Sequence, residues 1–182
     1  MDQSKVAVRY AKAAFDFAKE QNQLNAFVED MKKLENLLKQ NNDIFHFFGN
    51  PVINIKEKLK TTDEIFANKF NDVTVNVIKL TVKNKRENHL NAICRRVDKL
   101  YKDQEGIKTL QLKSADKLDE KTREALIKNV KNALNTNKLE ISELTDNDLI
   151  GGFVLRIEDI QYDASVKTQL EILKKNFKEK SF

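Results

Sequence analysis

The spacing of the apolar residues changes at Gly106, and this change limits the possible folds more than any other feature of the sequence. Before Gly106, apolar residues recur every three or four positions, which is the period of an amphipathic helix. After it, stretches such as KTLQLKSA, KLEISEL and GGFVLRIE alternate apolar and polar residues, which is the period of a half-buried strand. The 182 residues include only one proline and four glycines, so few positions are suited to turns. These features predict an α+β protein.

We place a domain boundary at Gly106. Residues 1–105 are expected to form an all-α bundle of about six helices, and residues 106–182 a small domain of order β-α-β-β-β-α. The first helix of the small domain is predicted to begin at Asp119, as its N-cap, and to end near Asn135. The last helix has one narrow apolar stripe, which we expect to face inward. The stripe consists of Val166, Leu170, Leu173 and Phe177.

One stretch of the first half fits both periods. In DVTVNVIKLTVK the valines alternate as in a strand, and β-branched residues favour sheets. The alternation fails after Val77, because Ile78, Leu80 and Val82 require a shift of phase. We interpret the stretch as the fifth helix of the bundle, with apolar and threonine positions over more than half of its circumference.

The first helix, predicted from Lys5 to Gln21, is apolar over a wider arc than one core requires. At about 100° per residue, its apolar side chains cover roughly 220° of the circumference. A helix that packs on a single core needs about half of that arc. The first and fifth helices therefore both carry apolar surface that their own bundle does not account for.

The composition gives little support to catalysis or to nucleic-acid binding. Lys and Arg number 33 against 28 Asp and Glu, and this small excess is spread along the chain, as on solvated helix faces. The single cysteine, Cys94, has no disulfide partner, and His46 and His89 are remote from each other in the sequence, with no acid triad beside either. We predict no catalytic residues, no metal site and no cofactor, and we expect no nucleic-acid partner.

Gly151 and Gly152 stand side by side at the start of a predicted strand. A phosphate-binding loop needs several glycines that lead into the N-terminus of a helix, commonly with Lys-Ser or Lys-Thr. Neither feature follows this pair. We interpret the pair as a tight turn or as a place where another backbone approaches closely.

Two stretches carry a resemblance to a known family. They are RYAKAAFDFA and LEISELTDNDLIGGFVLRIEDIQYDASVKTQLEILKK. Both resemble the delta subunit of the F-type ATP synthase, the family of the mitochondrial oligomycin sensitivity-conferring protein. In that family Gly-Gly enters a strand that carries an Arg or Lys, and a hairpin leads to Asp-Ala/Gly-Ser and a helix with Leu-x-x-Leu. The matching residues are Gly151, Gly152, Arg156, Asp163, Ala164, Ser165, Leu170 and Leu173.

The resemblance covers essentially the whole chain. The family's Arg-Tyr-Ala-Lys-Ala opening falls at residues 9–13, and its Ser-Ala-x-x-Leu at residues 114–118. The chain departs from the family's pattern near the end of the fifth helix, where Lys85 precedes Arg86 and the family commonly has Gly, Asn or His. We expect Asn84 to take the left-handed cap position instead.

The resemblance implies a non-catalytic stator subunit of the ATP synthase, which supports proton-driven ATP synthesis. Its helical domain would bind the N-terminal helix of an alpha subunit, and its second domain would contact the b subunit of the peripheral stalk. The resemblance also implies a peripheral location at the cytoplasmic face of the bacterial inner membrane, with membrane contact only through the complex. The stator keeps the catalytic head from rotating with the shaft.

The two wide apolar arcs agree with a groove that binds a helix between the first and fifth helices. The candidate lining residues are Val6, Tyr10, Ala13, Ala14, Phe17, Asn76, Val77 and Leu80. The alternative is that several of them are ordinary bundle core, since a helical wheel gives a face but not a partner. For the stalk, the candidates are Ile172, which lies off the inward stripe of the last helix, and the adjacent Lys175.

Two other functions remain open at this point. A helical RNA-binding protein would fit the basic charge, but it would need clustered arginines and stacking aromatic residues, and it would leave the wide apolar arcs unexplained. An adaptor that grips an amphipathic helix in an assembly other than the ATP synthase would keep the groove and change only the partner.

Overall fold

The computed structural model describes residues 5–116, 118–136, 138–158 and 160–179. The chain divides into two compact units, with the division between Lys102 and Asp103. The helices of the first part of the chain are α1 (Lys5–Glu20), α2 (Leu24–Gln40), α3 (Asn42–Gly49), α4 (Ile55–Phe66), α5 (Asp72–Lys83), a 3-10 turn (Glu87–His89) and α6 (Leu90–Glu105). In the described part of the chain, no helix has the length and apolar character needed to cross a membrane.

The stretch that fits both periods is a helix, as predicted. The side chain of Asn71 caps α5, because its Oδ1 accepts a hydrogen bond from the Val73 amide at 2.9 Å. The β-branched residues of α5 are buried on several sides of the helix, so their packing outweighs their low helix propensity. The buried residues of α5 are Val73, Thr74, Val75, Val77, Ile78, Thr81 and Val82.

The left-handed residue at the end of α5 is Lys85, not Asn84, so that prediction was wrong. Lys85 has φ +55°, whereas Asn84 has φ −91°. The amides of Lys85 and Arg86 donate to the carbonyls of Val82 and Thr81, which is the hydrogen-bond pattern of a Schellman motif. The Asn84 side chain is used elsewhere and donates to the hydroxyl oxygen of a tyrosine on α1, described below.

A buried ion pair holds α4 to the segments on either side of it in the sequence. The Nζ of Lys58 lies 2.5 Å from the Glu87 carboxylate and 2.5 Å from the carbonyl oxygen of Phe48. Lys58 is only 2% exposed. A buried cation is tolerated when an opposite charge and hydrogen bonds replace its water, so this pair fixes α4 relative to the end of α3 and the 3-10 turn.

The second unit has the predicted order β-α-β-β-β-α. Its elements are β1 (Lys108–Ser114), α7 (Glu120–Leu134), β2 (Leu139–Thr145), a 3-10 turn (Asn147–Leu149), β3 (Phe153–Ile157), β4 (Ile160–Asp163) and α8 (Val166–Glu179). The strand order is β2-β1-β3-β4, with β2 parallel to β1 and the other two pairs antiparallel. As predicted, Asp119 caps α7, and its carboxylate accepts a hydrogen bond from the Thr122 amide at 3.1 Å. The core of this unit contains Leu110, Leu112, Val130 and Leu155.

The apolar stripe of α8 does not face inward, which corrects the prediction. Val166, Leu170 and Leu173 are 37%, 42% and 50% exposed, and the side chain of Phe177 lies outside the described part. The reason is the chemistry of the sheet. Thr168 and Glu171 of α8 line a pocket together with residues of one face of the sheet, and these sheet residues are mostly polar. They are Gln111, Lys113, Val154, Arg156, Gln161 and Asp163. An apolar stripe gains little from packing against such a face.

Gly151 and Gly152 allow two backbone segments to meet. A Cβ on Gly152 would lie 2.3 Å from the carbonyl oxygen of Ala164, and Gly152 has φ +76°. A Cβ on Gly151 would lie 2.9 Å from Cγ2 of Val166. The Gly151 carbonyl also accepts a hydrogen bond from the Val166 amide at 3.0 Å. The pair therefore joins the start of β3 to the start of α8, which agrees with the structural interpretation.

Candidate helix-binding groove

An open groove runs between α1 and α5 in the first unit, with a volume of about 450 Å³. It is lined by Arg9, Tyr10, Ala13, Ala14, Phe17, Val73, Asn76, Val77 and Leu80. We call this the α1–α5 groove. Seven of the eight residues assigned from the sequence lie along it. Val6, the eighth, is half-buried and is not among the lining residues.

Two lining residues escaped the sequence analysis. Arg9 is one helical turn before Ala13, and Val73 is one turn before Val77, so both share a face with residues that had been assigned. An apolar wheel passes over Arg9 because its side chain is charged. Val73 could have been found from helical periodicity, since it shares its face with Val77.

The surface of α1 divides into a core face and a groove face. Its core face is a strip of buried small residues together with Phe15, and these are Ala7, Ala11, Ala14, Ala18 and Phe15. Phe17, which is 45% exposed, and the exposed Ala13 lie on the groove face. Tyr10 is half-buried and contacts the core as well as the groove. A helix with two apolar faces needs a cover on each, which explains the wide arc.

On α5, the groove has a buried floor and an exposed rim. Val73 and Val77 are 5% and 7% exposed and belong to the core cluster of the bundle. Leu80 is 50% exposed, and Asn76 is also exposed. Core and groove are thus not exclusive alternatives: Val77 and Ala14 take part in both, whereas Leu80 and Phe17 present apolar surface to the groove and to solvent.

Polar contacts fix α5 at both of its ends. At its N-terminal end, the carboxylate of Asp30 on α2 accepts a hydrogen bond from the Asn71 amide at 2.7 Å and one from the Thr74 hydroxyl at 3.3 Å. At its C-terminal end, the Asn84 amide nitrogen donates to the Tyr10 hydroxyl at 2.9 Å. Asp30 is 7% exposed, so water competes little for its bonds. These contacts hold the two walls of the groove in place.

The second unit carries the other candidate residues. Ile172 of α8 is 54% exposed, and Lys175 is exposed as well. Because the apolar stripe of α8 is also exposed, Ile172 is one of several apolar side chains on this helix that face solvent.

The thiol of Cys94 is buried and chemically quiet. Burial raises its pKa to about 12, and the nearby Glu35 carboxylate adds to the effect. Its sulfur lies 3.7 Å from the sulfur of Met31. Among the described residues, no group of three or more His, Cys, Asp or Glu side chains is arranged to hold a metal ion.

Comparisons with known proteins agree over nearly the whole chain. A family model described as ATP synthase delta (OSCP) subunit matches residues 6–177. The ATP synthase subunit delta of Flavobacterium psychrophilum is 34% identical over 96% of this chain and 98% of its own length. That of Prochlorococcus marinus strain MIT 9211 is 30% identical over 91% of each. A chain in the cryo-EM structure of the Toxoplasma gondii mitochondrial ATP synthase hexamer has the same fold, with a TM-score of 0.76, 23% identity and coverage of 94% of this chain and 96% of that one.

Proposed function

The chain belongs to the ATP synthase delta (OSCP) subunit family, and from this premise we propose that its α1–α5 groove binds the N-terminal helix of an alpha subunit. Members of the family are structural subunits of the ATP synthase and are not catalytic. The helical residues 1–105 would then attach the protein to the catalytic head. Residues 106–182 would attach it to the b subunit of the peripheral stalk.

The observation that carries the proposal is an apolar groove left open between two helices. Leu80 and Phe17 expose about half of their surface along it, whereas the same two helices bury Ile78 and Phe15 in the core. Large apolar side chains that line an open groove are typical of helix-in-groove recognition. The exposed Ala13 leaves room for the backbone of a guest helix to approach α1.

The energy available is of the right size for a lasting attachment. A guest helix of about four turns that removed roughly 600 Å² of apolar surface from water would contribute about 15 kcal/mol. Association costs about 4–15 kcal/mol. The difference is between about 0 and 11 kcal/mol, a range that includes the roughly 8 kcal/mol that micromolar affinity requires. A second attachment in the assembled enzyme would raise the effective affinity further.

For the second attachment, we propose that α8 contacts the peripheral stalk. The exposed Leu170, Leu173 and Ile172 provide apolar surface, and Lys175 adds positive charge beside it. With both ends attached, the subunit resists the torque that the rotating shaft exerts on the head. The protein would then lie at the cytoplasmic face of the bacterial inner membrane and contact the membrane only through the complex.

Calorimetry with a synthetic peptide of the alpha subunit's N-terminus tests the first attachment. We expect micromolar or tighter binding, and we expect Leu80→Asp and Phe17→Asp to abolish it because each places a carboxylate in the groove. Val8→Asp is the matched control, since Val8 is 36% exposed on α1 but does not line the groove.

Circular dichroism must show that all three variants keep their helix content. The proposal is wrong if neither the peptide nor the assembled head binds the wild-type protein. It is also wrong if Val8→Asp weakens binding as much as the two groove variants do.

A further inference from the structure

Arg9 is the one charged residue among the nine that line the α1–α5 groove. It is exposed, and within the described ranges it forms no ion pair with an acidic side chain. The other lining residues are apolar except Asn76 and the hydroxyl of Tyr10. A guest helix that covers the groove would remove water from this guanidinium, which is costly unless the guest supplies a partner.

Arg9 marks one end of the groove. The hydrogen bond between Tyr10 and Asn84 places the first turns of α1 beside the C-terminal end of α5. Because Phe17 and Val73 line the same groove, α1 must run antiparallel to α5. In a parallel arrangement, Phe17 would extend past the end of α5 and away from Val73. Arg9 therefore lies near the Leu80 end of the groove, on the side of the Asn84–Tyr10 hydrogen bond, and Phe17 lies at the opposite end.

Four exposed charges on the groove side of α1 follow the same direction. Lys5 precedes Arg9 by four residues, and Asp16 and Glu20 follow seven and eleven residues after it, so all four lie close to one edge of the helix. All four are exposed. Lys12 and Lys19, the other exposed lysines of α1, lie further from the groove on the same wheel. Of the charges nearest the groove, those at the Arg9 end are therefore basic and those at the Phe17 end are acidic.

We propose that the groove selects an amphipathic helix with a carboxylate beside its apolar stripe, and that the pair between this carboxylate and Arg9 fixes the direction in which the helix lies. The proposal rests on the proposed function, because it requires a helix in the groove. A carboxylate at the Arg9 end compensates the cation that the guest covers. A guest bound in the reverse direction leaves Arg9 uncompensated and brings its carboxylate toward Asp16 and Glu20, which repel it.

The test uses the alpha-subunit peptide with each of its acidic residues changed, one at a time, to the corresponding amide. We expect one of these changes to weaken binding to the wild-type protein by about three- to tenfold. The same change has no further effect on Arg9→Gln, because the partner is already gone. Lysine at that peptide position weakens wild-type binding more, and Arg9→Glu restores it.

Lys12→Gln is the matched control, because Lys12 is also an exposed cation on α1 but does not line the groove. It should bind every peptide as the wild type does. Raising the salt concentration should weaken binding to the wild type more than binding to Arg9→Gln. A nitroxide on the peptide end nearer to the carboxylate should broaden the amide signals of Leu80 and Asn84 more than those of Phe17 and Val73.

Each outcome separates the two ideas. If the wild-type peptide binds but every acid-to-amide change is neutral, the role of Arg9 is wrong and the proposed function stands. An equal loss in Lys12→Gln, or a nitroxide that broadens the Phe17 end, also overturns the role of Arg9. If neither the peptide nor the assembled head binds, the proposed function itself is wrong.

Discussion

Gly152→Ala should destabilise the second unit by more than any other glycine substitution in it, because two separate penalties meet at this position. Gly152 has φ +76°, where a residue with a Cβ is strained by about 1–2 kcal/mol. Its Cβ would lie 2.3 Å from the Ala164 carbonyl oxygen. That distance is too short for any real contact, and the obstacle is backbone rather than a flexible side chain. Moving it costs about 1–3 kcal/mol more.

The expected net loss is about 2–4 kcal/mol, because alanine also lowers the entropy of the unfolded chain by about 0.4–1 kcal/mol. Two other glycines of the same unit separate the penalties. Gly106 has φ +66°, and a Cβ there would have no atom within 4 Å from any described residue other than its two chain neighbours. Gly106→Ala should therefore lower the free energy of unfolding by only about 1 kcal/mol. Gly151→Ala meets only the side chain of Val166 at 2.9 Å, and changing Val166 to alanine should remove that cost.

The chain contains no tryptophan, so a single reporter can be placed in the second unit. Tyr162 is 63% exposed on β4, and Tyr162→Trp is the background in which the three glycine variants are unfolded with urea and followed by fluorescence. A free energy of unfolding for Gly152→Ala within about 0.5 kcal/mol of that for Gly106→Ala, a difference near the resolution of such measurements, would contradict this prediction. That result would mean that the Ala164 carbonyl yields at no cost.

Three further predictions concern the first unit. Lys58→Met should reduce the free energy of unfolding by about 3–5 kcal/mol, because it leaves the Glu87 carboxylate buried without its cation. Adding Glu87→Gln should recover part of that loss in urea titrations followed by circular dichroism, and a double variant no more stable than Lys58→Met would contradict this. Asp30→Ala should lower the free energy of unfolding by about 1–2 kcal/mol and weaken peptide binding to the groove, because the N-terminal end of α5 loses two hydrogen bonds. Asp30→Asn keeps an acceptor oxygen and should have a smaller effect on both stability and binding. Cys94 has a pKa of about 12 against an ordinary value of 9.0, so at pH 8 its thiolate is about 1,000-fold scarcer than that of a free cysteine; a disulfide reagent should modify it only after urea unfolds the chain, and rapid modification of the native protein would show that the thiol is accessible.

The sequence predicted the elements well where one local signal was sufficient. The helix α5 was recovered in spite of its alternating valines, because the alternation stopped at Ile78 and a helix accommodated the whole stretch. The end of α5 was not recovered, because the choice between Asn84 and Lys85 depends on a contact far away in sequence. Asn84 keeps a right-handed conformation and donates to the Tyr10 hydroxyl. The general preference of asparagine for the left-handed region contains no information about this distant hydrogen bond.

The exposure of the apolar stripe of α8 could not be predicted for a related reason. Periodicity identifies the apolar side of a helix, but the chemistry of the surface on which the helix lies depends on strand register. Gln111 pairs with Arg156, which pairs in turn with Gln161, and this places polar side chains together on one face of the sheet. The sequence of one strand does not show that polar side chains gather on this face, because each strand by itself shows only the usual alternation of apolar and polar residues. The stripe that includes Leu170 was therefore expected to face inward and is exposed.

The same reasoning explains why the groove was easier to locate than the surface of α8. An apolar stripe of ordinary width is compatible with a core or with a docking surface, because both remove apolar side chains from water. A docking surface can be told from a core only when a helix carries more apolar surface than its own bundle covers. The helix α1 does so, because it buries an alanine strip in its bundle and still has Tyr10 and Phe17 on a second face. The single apolar stripe of α8 is of ordinary width, so the sequence does not show that it is exposed. Its exposure is explained only by the polar face of the sheet, which the structure shows. Each unit thus has its own exposed apolar surface, as the proposed attachment to two partners requires.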